Sequence, residues 1–160
     1  MSSPGAVRPA TVDDADGIAA CHLGSWRETY SGLLSPAFFA TRSGERFTAN
    51  WRRQLGEGAD VAVAEVDGRV VGFAVGGPSR DQPPVRPLEL HTLYLRAAQH
   101  GSGLGQALLD AAVGDRPASL WVAAENPRAI AFYRRNGFLP DGAHQVLASW
   151  EDLAEIRLVR

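Results

Sequence analysis

The sequence predicts an α/β fold: a mixed, mostly antiparallel sheet with helices on both faces. Three observations carry this. Val61 to Val66 and Arg69 to Val75 read as strands on either side of Asp67-Gly68, a two-residue hairpin signal. Leu88 to Leu95, a helical period from Leu104 to Val113, and Ser119 to Ala123 form a strand–helix–strand unit, which adds a parallel element. Helical patterns before the hairpin and after Ser119 to Ala123 supply cover for both sides of the sheet.

Element by element, Ala6 to Ala10 is a short strand, and Thr11-Val12-Asp13-Asp14 starts a helix with a capping residue and acids in its first turn. Ile18, Cys21, His22 and Ser25-Trp26 carry the period toward Tyr30, and Ser31-Gly32 breaks it. Ser35-Pro36 is a cap followed by proline at the first helical position, and Phe38, Phe39, Phe47, Trp51 and Leu55 give one broken apolar face up to Gly56. With four prolines and two glycines, Gly76 to Pro87 reads as loop. A helix runs from Pro127 to Asn136, and Gly137 ends it at a left-handed cap. Two further strands close the chain, the clearer being Glu155 to Val159, separated by Trp150-Glu151-Asp152. That makes about seven strands in a single domain, residues 1–160.

Composition narrows the function. With 45% hydrophobic and 21% charged residues the chain is ordinary globular protein, and a net charge of −2 makes no electrostatic case for nucleic acid or anionic membrane. The single cysteine, Cys21, rules out an internal disulfide framework and a multi-cysteine metal site, and no His/Asp/Glu cluster has ligand spacing, so no metal is implied. Neither a signal peptide nor a membrane span is legible, which makes a cytoplasmic location the expectation. All sixteen basic residues are arginine, so the chain offers no lysine amine.

Two motifs carry chemistry. His100-Gly101-Ser102-Gly103-Leu104-Gly105 follows the strand Glu89-Leu90-His91-Thr92-Leu93-Tyr94-Leu95 and opens a helix. Glycines there let the backbone turn tightly and present N–H groups beside the positive end of the helix dipole, a seat for phosphate. A dinucleotide-binding fold also has a strand, a glycine loop and a helix, and Glu125 lies where a ribose-binding acid would be. Against it, the glycines run G-x-G-x-G, and Arg96 to His100 separate them from the strand. The second motif is Asn126-Pro127-Arg128-Ala129-Ile130-Ala131-Phe132-Tyr133-Arg134-Arg135-Asn136-Gly137-Phe138.

Together the motifs resemble the GCN5-related N-acetyltransferase (GNAT) family, which uses acetyl-CoA to acetylate amines. His100 stands where the family has Gln or Arg, while Gly103 and Gly105 match, as do Asn126, Ala129, Phe132, Tyr133, Gly137 and Phe138. The resemblance implies the family's fold and acetyl-CoA as co-substrate. It also implies a pyrophosphate cradle at His100, Gly101, Ser102, Gly103, Leu104, Gly105 and Gln106, and pantetheine laid along the backbone of Leu93 and Leu95 in a gap between Leu88 to Leu95 and Ser119 to Ala123. Asn126 would cap its helix and offer an amide to the same arm.

Tyr133 would give a proton to the departing thiolate, and Glu89 would take one from the amine. Strand alternation puts Glu89, His91, Leu93 and Leu95 on one face, where the acid would be desolvated. The acceptor is expected opposite the cofactor, against Trp26, Glu28, Tyr30 and His91, an aromatic wall whose carboxylate suits a cationic amine. The reading is an N-acetyltransferase acting on a primary amine by direct attack in a ternary complex; small or polyamine-like acceptors are favoured, and a peptide N-terminus and a homodimer are left open. The rival is a non-catalytic acyl-CoA-binding or sensor domain on the same fold.

Overall fold

The computed structural model describes residues 4–160, and its strands form one seven-stranded sheet in the order β1-β2-β3-β4-β5-β7-β6. These are β1 (Ala6–Pro9), β2 (Val61–Val66), β3 (Arg69–Pro78), β4 (Leu88–Leu95), β5 (Ser119–Ala123), β6 (Leu139–Leu147) and β7 (Leu153–Val159). All neighbours are antiparallel except β4 and β5, as the crossover through a helix requires. The helices are α1 (Ala15–Tyr30), α2 (Pro36–Ala40), α3 (Gly44–Gly56), α4 (Leu104–Ala112) and α5 (Pro127–Arg135). Among the described residues, no helix is long and apolar enough to cross a membrane.

Polar ties fix where the first helix starts. Asp14 accepts the Thr11 N–H at 2.7 Å and two guanidinium bonds from Arg8 at 2.8 Å, while Arg8 also reaches Glu65 at 2.6 Å. These contacts join β1, the turn before α1 and β2. One side of the sheet is then covered by α1 and α3, through Ile18, Cys21, Trp51 and Leu55 against Val63 and Phe73. The other side is covered by α4 and α5, through Leu109, Val113 and Tyr133 against Leu90, Leu120 and Leu158. Full burial of each large apolar side chain is worth about 1.5–3 kcal/mol, so these two layers dominate stability.

Three expectations change. The single broken face from Ser35 to Gly56 is two helices, because Ser43 caps a second start by accepting the Arg46 N–H at 3.3 Å. The expected loop from Gly76 begins later, since β3 runs to Pro78. Gly76 pairs with Leu90 in that strand, and glycine is needed there because a Cβ would sit 2.5 Å from the Ala112 carbonyl at the end of α4. The last strand starts at Leu153 rather than Glu155.

The most consequential departure is in β4. Thr92 pairs with Val75 and Leu90 with Gly76, which leaves His91 as an extra residue, a β-bulge. Leu88, Leu90 and Leu93 therefore pack into the same α4–α5 layer, whereas Tyr94 packs on the α1 side. The expectation that Glu89 shares a face with Leu93 and Leu95 is thus corrected. Counting by twos fails across a bulge, and Glu89 faces the α1 side.

Candidate active site

β4 and β5 pair only at Glu89–Ser119 and Leu90–Leu120, and beyond the bulge β4 has no partner on its β5 side. The sheet opens there as the sequence led us to expect. Around the opening lies a cleft of about 1220 Å³, lined by residues from both faces. That volume exceeds the roughly 300–1,000 Å³ of a pocket for one drug-sized ligand, so there is room for two molecules to meet.

At one end is the glycine turn. Gly101 and Gly103 have φ of 81° and 89°, the left-handed region that favours glycine, and no atom lies within 4 Å of a Cβ built on either. The N–H groups of Gly101, Gly103, Gly105 and Gln106 donate to no described residue, and they surround the start of α4. Side chains stay out of the turn or brace it. His100 Nε2 lies 3.2 Å from the Leu95 carbonyl, Ser102 accepts the Leu104 N–H at 3.3 Å, and Gln106 donates to Asp110 and Asn136. His100 thus holds the strand-to-turn connection.

In the middle of the cleft, Asn126 caps α5 by accepting the Ala129 N–H at 3.2 Å, and its amide NH₂ is unpaired among the described residues. About two turns later, Tyr133 is 8% exposed and its hydroxyl bonds to no described residue. Burial raises its pKa well above that of a free phenol, with the nearby Tyr30 adding to the shift. Tyr133 belongs to the α4–α5 layer and Tyr30 to the α1 side, so this influence acts across the opening in the sheet.

At the other end is an aromatic chamber of Trp26, Tyr30, Tyr94, Trp121 and Trp150. Tyr30 and Tyr94 share a hydrogen bond at 3.1 Å, Trp26 and Trp150 meet edge-on with centroids 4.5 Å apart, and the buried Trp26 indole N–H, on the side of Tyr94, makes no hydrogen bond of normal geometry among the described residues. Two expected site residues are otherwise engaged. Burial works against the charge of Glu28, yet Arg96 at 2.7 Å and the Ala97 N–H at 2.7 Å hold its pKa below the ordinary carboxylate value; it fastens α1 to the end of β4 instead of offering an open charge. Glu89 is 2% exposed, as expected of a desolvated acid, but it accepts from Ser79, from the Arg80 N–H at 2.8 Å and from the Arg80 guanidinium at 3.3 Å. His91 lines the cleft and bonds the Pro78 carbonyl at 2.8 Å.

The sequence pattern of the acetyltransferase (GNAT) family matches residues 26–138. The chain belongs to this family. It is 32% identical to the uncharacterised N-acetyltransferase YuaI of Bacillus subtilis, over 80% of this chain and 76% of that one. It is 29% identical to the L-methionine sulfoximine/L-methionine sulfone acetyltransferase of Pseudomonas aeruginosa, over 95% and 92%. Among solved structures, YncA of Salmonella typhimurium with its cofactor acetyl-CoA superposes with a TM-score of 0.70 at 20% identity, covering 99% of this chain and 94% of that one. The GNAT fold is therefore shown, and this chain is an N-acetyltransferase by family.

The GNAT site here fits acetyl-CoA on its own chemistry. Four unpaired N–H groups and a helix start suit a pyrophosphate, and a strand edge without a partner suits an arm carrying amides. Some lining residues escaped the sequence reading, chief among them Arg80, Gln145, Trp150 and Glu155. The one available signal was Glu155, an acid in the middle of a strand otherwise rich in Leu and Ile. Among the described residues, no group of three His, Cys, Asp or Glu could hold a metal ion.

Proposed function

We propose that this protein transfers the acetyl group of acetyl-CoA to a small primary amine by direct attack in a ternary complex. The observation that carries the reading is the opening between β4 and β5, with unpaired N–H groups at one end, an aromatic chamber at the other and Tyr133 between them. When bound, the thioester supplies an acetyl carbon whose bond to sulfur breaks as its bond to nitrogen forms. Gly101, Gly103, Gly105 and Gln106 would hold the pyrophosphate, and the backbone at Leu93 and Leu95 would align the arm through the opening. Tyr133, kept protonated through neutral pH by its burial, would donate to the departing sulfur. The chamber would exclude water from the acetyl group while the amine approaches.

The test is thermal and catalytic. Acetyl-CoA should raise the melting temperature, because a ligand that binds only the folded state stabilises it by mass action. An amine panel covering polyamines, aryl-alkylamines, amino acids and peptide N-termini should then release free thiol with at least one member. A melting shift with no thiol release across the panel would favour a non-catalytic acyl-CoA-binding domain; no shift would remove the reading altogether.

A further inference from the structure

We infer that Glu155 is the seat of the acceptor's ammonium group and the carboxylate that takes its proton, so that the acceptor binds as a cation. This rests on the acetyltransferase reading and names the anchor of its second substrate. Four acids line the cleft: Glu28, Asp81, Glu89 and Glu155. Glu28 pairs with Arg96 at 2.7 Å, Asp81 with Arg157 at 3.2 Å and Glu89 with Arg80 at 3.3 Å. Among the described residues Glu155 has no ion pair and accepts a single side-chain hydrogen bond, from Gln145 Nε2 to its Oε2 at 2.6 Å. Its other oxygen is unpartnered in a cleft walled by aromatic rings.

Position agrees with charge. On β7, Glu155 lies opposite Ala123 of β5, which packs with Trp26, Tyr30 and Leu153. Cross-strand partners project to one face, so Glu155 points to the side of the aromatic chamber, and both residues line the cleft. Ala123 is also the last residue of β5, at the level where the sheet has opened. A cation there would meet ring faces and a carboxylate together, which strengthens both attractions in a partly desolvated site.

The groups facing Glu155 set its proton affinity. Burial raises its pKa, the Gln145 bond and the Arg80 guanidinium lower it, and the nearby Glu89 charge raises it again. Tyr30 of α1 is close enough to feel its charge, and Arg157 on the same strand is occupied by Asp81 and Asp141. Two carboxylates thus differ in environment: Glu89 is held by a guanidinium, and Glu155 is poised to accept a proton. In the step, one N–H bond of the ammonium breaks, its electron pair stays on nitrogen, and the proton forms the neutral carboxylic acid of Glu155. The freed pair can then bond to the acetyl carbon.

The test begins with binding, in the protein without acetyl-CoA. Calorimetric titration compares 2-phenylethylamine with 2-phenylethanol, a neutral molecule of the same shape. The amine should bind at least about tenfold more tightly, as expected for one charge pairing in a partly desolvated site. Its affinity should fall with pH as Glu155 becomes protonated. Glu155→Gln should reduce amine affinity to that of the alcohol while leaving the acetyl-CoA melting shift intact, and should lower kcat/KM for any working amine by ~10²-fold or more. Equal binding of amine and alcohol, binding of neither, or a Glu155→Gln variant with unchanged amine affinity overturns the inference. The wild-type comparison can still overturn the inference if Glu155→Gln fails to fold, and Glu155→Asp, which keeps the charge, should then retain the preference for the amine. Failure of the acetyl-CoA melting shift would instead strike the acetyltransferase reading, which the amine–alcohol comparison does not measure.

Discussion

Acid should unfold this protein through His22, which lies in the wall of the aromatic chamber. Its ring centroid is 4.7 Å from that of Phe47, 4.8 Å from Trp26 and 5.2 Å from Phe73. Nδ1 accepts the Trp51 indole N–H at 3.1 Å, so this nitrogen must stay unprotonated for the bond to exist. Burial pushes the pKa of His22 down to about 4, from an ordinary value of 6.5. The folded state therefore binds this proton less readily than the unfolded chain, and stability falls as pH drops through that window. At about 1.4 kcal/mol per unit the full difference is about 3 kcal/mol, of which about 2 kcal/mol falls between roughly pH 7 and pH 5. His22→Gln keeps an acceptor for Trp51 and cannot charge at these pH values. Urea unfolding of both proteins at the two pH values should show the wild type losing about 2 kcal/mol more than the variant. If the two lose stability in parallel, His22 is not the acid-labile group and the argument from its burial fails.

Other expectations concern the cofactor and the reaction. Tyr133→Phe keeps the ring's packing and should leave the acetyl-CoA melting shift in place while turnover falls by ~10²–10⁴-fold; steady-state thiol release measures it, and normal turnover would mean that water protonates the sulfur. Gly103→Val should abolish the melting shift, since it adds a side chain where phosphate must approach and strains a φ of 89°; calorimetric titration with acetyl-CoA checks the loss directly. Cys21 is buried and its thiol is pushed up to about 11 by that burial, so the folded protein should resist thiol alkylation and form no acetyl-cysteine. Mass spectrometry after incubation with acetyl-CoA reads this, and an acetyl group on Cys21 that passes to an amine would replace direct attack by a covalent route.

The cofactor half of the site was legible in the sequence because it is built locally. A glycine turn, a helix start and the Asn126–Tyr133 spacing are each set by neighbours in the chain, so their geometry travels with the motif. The acceptor half is assembled from distant segments, and sequence spacing says little about such meetings. Glu28 looked free because nothing in its own segment announces Arg96, 68 residues away. Glu155 carries no mark in its own segment, because what sets it apart is lacking a cation among the described residues when every other acid of the cleft has one. Glu89 was assigned the wrong face for a different reason: an added residue in β4 leaves no mark in the hydrophobic pattern that could be told from ordinary alternation.

That added residue, His91, makes the groove a matter of chain length more than of residue chemistry. The ladder between β3 and β4 is regular on both sides of it, and both flanking stretches keep their apolar side chains in the α4–α5 layer. A version one residue shorter could run straight beside β5, fill its own hydrogen bonds and leave no slot for a second chain-like molecule. The sheet forgoes that closure at one position, and past it the free edge of β4 presents backbone groups of the kind an extended, amide-bearing molecule could pair with. Under the proposed function, the sheet would remain one strand short until acetyl-CoA supplied the missing element.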